Sequence, residues 1–385
     1  MKRSLLALAI VTFALGVAEF GMMGILGDVA YALNVDIQQA GHFIAAYSAG
    51  VAVGAPLLIV LRRVPLQRLM LLLAVTVFLG NLGAALSVNY GMLLGARFVS
   101  GLPHGCFFGA GAIVCARLVD PGKGAVAVAV MVGGMTIANV VGVPLATFLS
   151  NLLNWRALFI VVAAFALSGV LTIKFWVPAM APLPDTGIKG QFSFLRRKEP
   201  WLIYGGVFFG QASVYCYLSY IDPIMTKLAN FSAADMSWIM MIAGLGMVIG
   251  NAAAGKLASR FGEARVSASI TFALIFIMPA VFLCASYKLP SIVLMFLATA
   301  GLFGIGGPLQ YLIVRYAKGG EMLGGAGIQI AFNVSNAVSA ALGGVVIHQG
   351  FGLAAPALLG TPFAIIGFIA LAILVTVEKK CYTAP

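Results

Sequence analysis

Residues 92–116 read MLLGARFVSGLPHGCFFGAGAIVCA. Apart from Arg97, Pro103 and His104, every side chain in this stretch is apolar, small or hydroxylated. About 20 such residues in an α-helix cross the hydrocarbon core of a bilayer, so the stretch is long enough to span one. The same reading recurs along the chain. Runs bounded by charge, Pro or Asn lie at 5–26, 40–61, 69–88, 92–116, 125–150, 157–177, 201–221, 236–257, 266–286, 291–314, 324–348 and 355–377. Twelve helices of that length use about 240 residues of the 385, leaving short connections. Composition agrees: 62% of residues are apolar or aromatic and 9% charged, whereas soluble domains carry about 25% charged residues. A soluble globular protein is therefore excluded. The expected fold is an all-α membrane protein of twelve transmembrane helices.

An even number of spans puts both termini on one side. If that side is the cytoplasm, only Arg156, Lys227 and Lys288 of the 23 Lys and Arg fall outside, and one arginine, Arg97, lies within a span away from its cytoplasmic end. The other nineteen are cytoplasmic, which is the positive-inside bias and predicts cytoplasmic termini. This placement also accounts for the net charge of +12, leaving none that calls for a nucleic-acid partner. The basic start and apolar run of residues 1–16 have the look of a signal peptide, but the run continues to Leu26, so it is read as an uncleaved first span.

One cytoplasmic connection, 178–200, is longer than the others, with four prolines and a basic end. It divides the chain into an N-terminal six-helix bundle (1–177), a linker (178–200) and a C-terminal six-helix bundle (201–385). Gly54-APLLIVLRRVPLQ-Arg68 and Gly250-NAAAGKLASRFGEA-Arg265 occupy the same place in each half. The offset from Gly54 to Gly250, 196 residues, suggests a duplicated unit, a plan in which a substrate site lies at the midplane between halves.

Several motifs resemble enzyme or cofactor signatures and fail on context. Gly250-NAAA-Gly255-Lys256 has phosphate-loop spacing, but Leu257 stands where Ser or Thr is required and no strand precedes it. No Cys-x-x-Cys, HExxH or Gly-x-Ser-x-Gly is present, so neither a metal, a cofactor nor an enzymatic activity is expected. Glycine pairs four residues apart, Gly50 and Gly54, Gly101 and Gly105, Gly246 and Gly250, predict closely packed helices.

Ionisable groups inside spans are costly unless paired or hydrated, so they are the informative residues. Glu19 lies about 10 Å and Arg97 about 7.5 Å from the outer ends of their spans, at 1.5 Å per residue, and they could meet if the two spans are neighbours. His104 follows Pro103 near mid-span. These three are the candidate proton-coupling residues. Tyr47, Asn139, Gln211, Tyr215, Tyr220, Gln310, Gln329, Asn333 and Asn336 are candidates to line a polar, aromatic cavity for a small solute.

Arg97-FVS-Gly101-LPHG-Cys106 resembles the span-4 signature of the major facilitator superfamily, and Gly134-MTIANVV-Gly142-V-Pro144 resembles its span-5 antiporter signature. Ala18-EFGMMG-Ile25, Ala40-GHFIAAYSAGVAVGAP, Trp155-Arg156-x-x-Phe159 and Ala317-KGGEMLGGAGIQIAFN-Val334 add to the likeness, which is strongest to the arabinose-efflux-permease group. Two departures stand out: Ile59-VLRRVPLQ-Arg68 lacks the family's aspartate and paired glycines, and Ala138-Asn139 replaces its Gly-Pro pair. The resemblance implies the major facilitator fold and a monomeric, proton-coupled exporter of sugars or drug-like solutes in a bacterial inner membrane, with spans 1, 4, 7 and 10 facing a central cavity. It places Arg97 at the arginine assigned to proton transfer and Glu19 at an acid found in span 1 of drug exporters. Proton-coupled uptake is the alternative within this class. A non-transporting membrane receptor is the alternative outside it.

Overall fold

A computed structural model describes residues 2–61, 63–120, 124–182, 193–317 and 320–383. All regular structure among them is helical. Two compact units emerge, one comprising Met1–Thr186 with Ser232–Met241 and the other Gly187–Phe231 with Ile242–Pro385. The sequence reading had put 232–241 in the second half. Within the first unit, Asn151 Nδ2 donates to Ala233 O at 2.6 Å, which ties the start of that segment in.

The first unit holds α1 (Lys2–Phe20), α2 (Leu26–Leu33), α3 (Ile37–Gly54), α4 (Leu57–Leu61), α5 (Leu66–Ala85), α6 (Tyr90–Arg117), α7 (Gly124–Ile137), α8 (Val143–Leu152) and α9 (Arg156–Trp176). In it α1 packs on α7 and α9, α3 on α6, and α5 on α6 and α9. The second unit holds α10 (Lys198–Leu218), α11 (Ile221–Lys227), α12 (Met236–Phe261, whose first residues belong to the first unit), α13 (Glu263–Cys284), α14 (Lys288–Tyr316), α15 (Glu321–Val346) and α16 (Ala355–Thr383). Here α10 packs on α15 and α16, and α13 on α14 and α16.

Among the described residues, ten helices are long and apolar enough to cross a membrane. Of the two expected spans outside that set, 40–61 is split at Ala55–Pro56 into α3 and α4, and 201–221 corresponds to α10. Both are helical, but α3 carries Gln38, Gln39 and His42 and α10 carries Lys198, Glu199 and Gln211. These are the helices that bear Tyr47 and Tyr215. Two other expected spans are interrupted. The first breaks into a 3₁₀ turn at Gly21–Gly24 directly after Glu19, and the fifth passes through a π-helical turn at Ala138–Gly142. Such turns leave backbone groups outside the regular α ladder and often mark functional positions.

Close backbone approach explains the glycine pairs. A Cβ at Gly50 would lie 2.2 Å from Phe98 O, at Gly54 1.9 Å from Leu102 O and at Gly101 2.1 Å from Tyr47 O, so α3 and α6 touch main chain to main chain. The second unit uses the same device, where a Cβ at Gly250 would lie 2.1 Å from Ala300 O. Gly54→Ala is expected to cost about 3 kcal/mol, the upper range for overpacking, because backbone rather than a flexible side chain must yield. Gly133→Ala, which meets nothing within 4 Å, is the control. Equal yields of monodisperse protein from the two variants would contradict the packing account.

Candidate functional site

Three helices of the first unit bring Glu19, Tyr47, Arg97 and His104 together. Arg97 and His104 are seven residues apart on α6, two turns along one face, and that face meets α1 and α3. Phe43 and Tyr47 are one turn apart on α3, so the Phe43 carbonyl and the Tyr47 ring are offered on the same side. Glu19 stands in the last turn of α1, where carbonyls have no partner within the helix.

Arg97 is fully buried and binds backbone. Its Nη1 donates to Ala18 O at 2.8 Å, and its Nε donates to Phe43 O at 3.2 Å. The first bond satisfies a terminal carbonyl of α1, a use of a basic side chain at a helix C-terminus. The guanidinium also lies over the Tyr47 ring, 4.3 Å from its centroid, and 5.8 Å from that of Phe159. A desolvated cation over an aromatic face contributes about 2 kcal/mol. Arg97 therefore joins α1, α3, α6 and α9.

Glu19 is 1% exposed, and neither carboxyl oxygen has a hydrogen-bond partner among the described residues. Spans 1 and 4 are neighbours, but Arg97 is not within ion-pair distance of Glu19; the recorded neighbour is His104, with Nε2 at 3.9 Å from Glu19 Oε2. Nη2 of Arg97 is also unpartnered. A buried carboxyl, a buried cation with an unused donor and an imidazole thus share one small space. Unsatisfied polar groups of this kind are costly in a low-dielectric interior. They are relieved by a proton, by water, or by a small shift that closes the gap between acid and arginine.

His104 is held at one face and at one edge. Its ring stacks on Phe108, centroids 5.3 Å apart, and its Nδ1 is 2.9 Å from the Tyr47 hydroxyl. Tyr47 is itself buried, with a longer contact of 3.4 Å from its hydroxyl to Leu15 O.

The cavity candidates separate into several groups. Asn139 sits on the π-helical turn, buried, with its Oδ1 unpartnered, and that turn packs against α1 beside Gly16. In the second unit, Gln211 donates Nε2 to Leu302 O at 3.2 Å and leaves Oε1 unpartnered. Tyr215 meets Phe332 edge to face at 5.4 Å. Asn333 donates to Gln329 O at 3.0 Å with a free Oδ1, and both amide atoms of Asn336 are unpartnered although it is fully buried. Tyr220 is bonded to Ala340 O and packs on Gly343, where a Cβ would meet its ring at 2.7 Å, so it ties α15 to the end of α10. Gln310 lies against Gly325; it and Gln329 are half-buried.

Some members of the site carried no sequence signal. The Ala18 and Phe43 carbonyls that receive Arg97 are main chain, which no residue type announces. Outside that cluster, Ser48 in the first unit and Tyr217 in the second are buried with hydroxyls unpartnered among the described residues and look like ordinary residues of their helices. Phe159 belongs to a stretch quoted for its family likeness, but nothing in it pointed to Arg97.

A model of the Major Facilitator Superfamily matches residues 8–324 and, a second time, residues 203–383. The chain belongs to the major facilitator superfamily. It is 42% identical over 372 residues, 96% of this chain and 94% of the relative, to an Escherichia coli K12 protein named "Putative transporter AraJ". It is 32% identical to the inner membrane transport protein YdhP of the same organism, covering 98% of this chain and 96% of that one. Among solved structures, a D-xylose–proton symporter superposes with a TM-score of 0.76 over 97% of this chain and 96% of its own, at 14% identity. At that identity the likeness speaks to fold alone. Superfamily membership makes the chain a multi-pass membrane transporter and not an enzyme.

Proposed function

We propose that this protein exports a small solute, a sugar or a drug-like compound, across a bacterial inner membrane in exchange for protons, by alternating access of twelve spans with both termini in the cytoplasm. The observation that carries the reading is Glu19, a carboxyl buried in the last turn of α1 with no hydrogen-bond partner among the described residues, with His104 beside it and Arg97 bonded to the preceding carbonyl. A proton-coupled carrier needs a titratable group that faces each side in turn, and among acids within the expected spans Glu19 is alone. Arg97 favours the ionised acid when drawn toward it; held by the Ala18 and Phe43 carbonyls, it leaves the acid free to keep a proton. His104 is the neighbouring group through which that proton passes.

Export is supported by the span-5 antiporter likeness at Gly134–Pro144, and the cytoplasmic termini by the distribution of Lys and Arg. The solute site is assigned to the amides and rings of α10, α14 and α15 in the second unit, Gln211, Tyr215, Gln310, Gln329, Asn333 and Asn336, and Asn139 is a separate polar position of the first unit. Unpartnered buried amides beside aromatic faces suit a hydroxylated or weakly polar molecule. The test is a panel of sugars and drug-like compounds applied to inverted membrane vesicles with an imposed proton gradient, acidic inside. Uptake driven by the gradient, abolished by a protonophore, is the expected result. Solutes that move only with protons in the opposite sense would make the protein an uptake symporter.

A further inference from the structure

The sequence placed Tyr47 among the residues lining a solute cavity. Its geometry fits a different task. The side chain is 1% exposed, its ring lies under Arg97, and its hydroxyl is 2.9 Å from Nδ1 of His104, whose other nitrogen looks toward Glu19. A neutral imidazole carries one proton, and the hydrogen bond made by one nitrogen selects the form presented by the other. The hydroxyl has one hydrogen to give. It can give it to Leu15 O at 3.4 Å or to Nδ1 at 2.9 Å, which accepts or donates according to the tautomer of the ring, and the shorter contact favours the tautomer in which Nδ1 accepts.

We propose that Tyr47 is a positioning residue for proton coupling: by donating its hydroxyl hydrogen to Nδ1, it holds His104 in the form that turns an Nε2–H toward the Glu19 carboxyl. This rests on the reading of Glu19 as proton carrier. The hydrogen on Nε2 supports the ionised acid. If the bond to Nδ1 is lost, the proton can move to Nδ1, and a bare Nε2 then faces Glu19; that lone pair welcomes a protonated carboxyl and opposes an ionised one. The other charged or titratable groups at this position are few. Arg97 is the only further one on the face of α6 that meets Glu19. On α3, His42 is occupied with Tyr90, 2.7 Å away. Helices α7 and α8 carry no charge, and α5 and α9 carry it only near their ends, at Arg68, Arg156 and Lys174.

The role can be read without knowing the solute. In the full-length protein reconstituted in lipid vesicles, the infrared C=O band of a protonated carboxyl is titrated with pH, and the Glu19 contribution is identified as the part absent from Glu19→Gln. Tyr47→Phe keeps the ring beneath Arg97 and removes only the hydroxyl. We expect it to raise the midpoint of that band by about half a pH unit, less than a full hydrogen bond to a charged partner would give, because Nε2 and Oε2 are 3.9 Å apart. His104→Leu removes the donor itself and should raise the midpoint as well. In the His104→Leu background Tyr47→Phe should add nothing, the signature of two residues acting in series. An unmoved midpoint in Tyr47→Phe or in His104→Leu overturns the proposal, and so does an equal shift from Tyr47→Phe with and without His104. If Glu19→Gln removes no titrating band, the proton-carrier reading itself fails, an outcome distinct from a band present but indifferent to Tyr47. A raised KM for transported solute in Tyr47→Phe with the band unmoved returns Tyr47 to the solute site.

Discussion

Glu19→Gln is expected to abolish proton-driven accumulation completely while the protein still inserts and still exchanges solute down its gradient. The substitution keeps the shape of the side chain and its capacity to hydrogen-bond, and removes only titration. Because the carboxyl oxygens have no hydrogen-bond partner, no structural bond is lost with them, so the stability of the variant should stay within about 0.5–1 kcal/mol of the parent, the range of modest substitutions. That separation makes the experiment decisive. Vesicle assays should give an accumulation ratio of one under a proton gradient, with counterflow of pre-loaded solute preserved. His104→Gln is the companion measurement: if it abolishes accumulation and Glu19→Gln does not, the histidine is the carrier.

The second large effect belongs to Arg97. Lysine keeps the charge but has a single nitrogen on a flexible stem, so it cannot hold Ala18 O on α1 and Phe43 O on α3 together while lying flat over Tyr47. Arg97→Lys therefore loses at least one bond of the charged kind, about 1.5–3 kcal/mol, and leaves a buried carbonyl without its partner. We expect lowered thermal stability in detergent together with transport reduced about tenfold or more, since 1.36 kcal/mol in a barrier is already tenfold in rate. Arg97→Gln separates the roles. If its stability falls but its proton-driven transport stays near the parent's, Arg97 is a tie between helices and has no part in coupling.

Much of this architecture can be read from one-dimensional features because a bilayer allows few solutions. Backbone polar groups have no water to bond with in hydrocarbon, so long apolar runs become helices. The same rule makes Glu19, Arg97 and His104 conspicuous, since each is an exception that must be accommodated. Helices α3 and α10 are less apolar than the other expected spans for two reasons: Tyr47 and Gln211 are buried within protein, and Gln39 and Lys198 stand exposed in their first turns.

Glycine spacing in Gly50, Gly54, Gly101 and Gly105 pointed to close helix contact, but not to which helix meets which. That depends on residues about fifty positions apart, with Phe98 and Leu102 carbonyls filling the room the glycines leave. The break after Phe20 and the π-helical turn at Asn139 were invisible for a related reason. They answer to neighbours such as Leu158 beside Gly21, where a Cβ would come within 2.4 Å, and no local propensity records that pressure.

The sequence by itself determined the class of molecule, the family and the three ionisable residues that the membrane makes expensive, because composition, charge bias and spacing are properties of the chain alone. Only the tertiary structure decided their partners. It gave Arg97 to two backbone carbonyls and a tyrosine ring, set His104 beside Glu19, and put the Tyr47 hydroxyl within 2.9 Å of the histidine. The reason is physical: hydrogen bonds and cation–ring contacts act over a few ångströms between atoms that different helices bring together, and main-chain acceptors carry no residue identity from which they could be foretold.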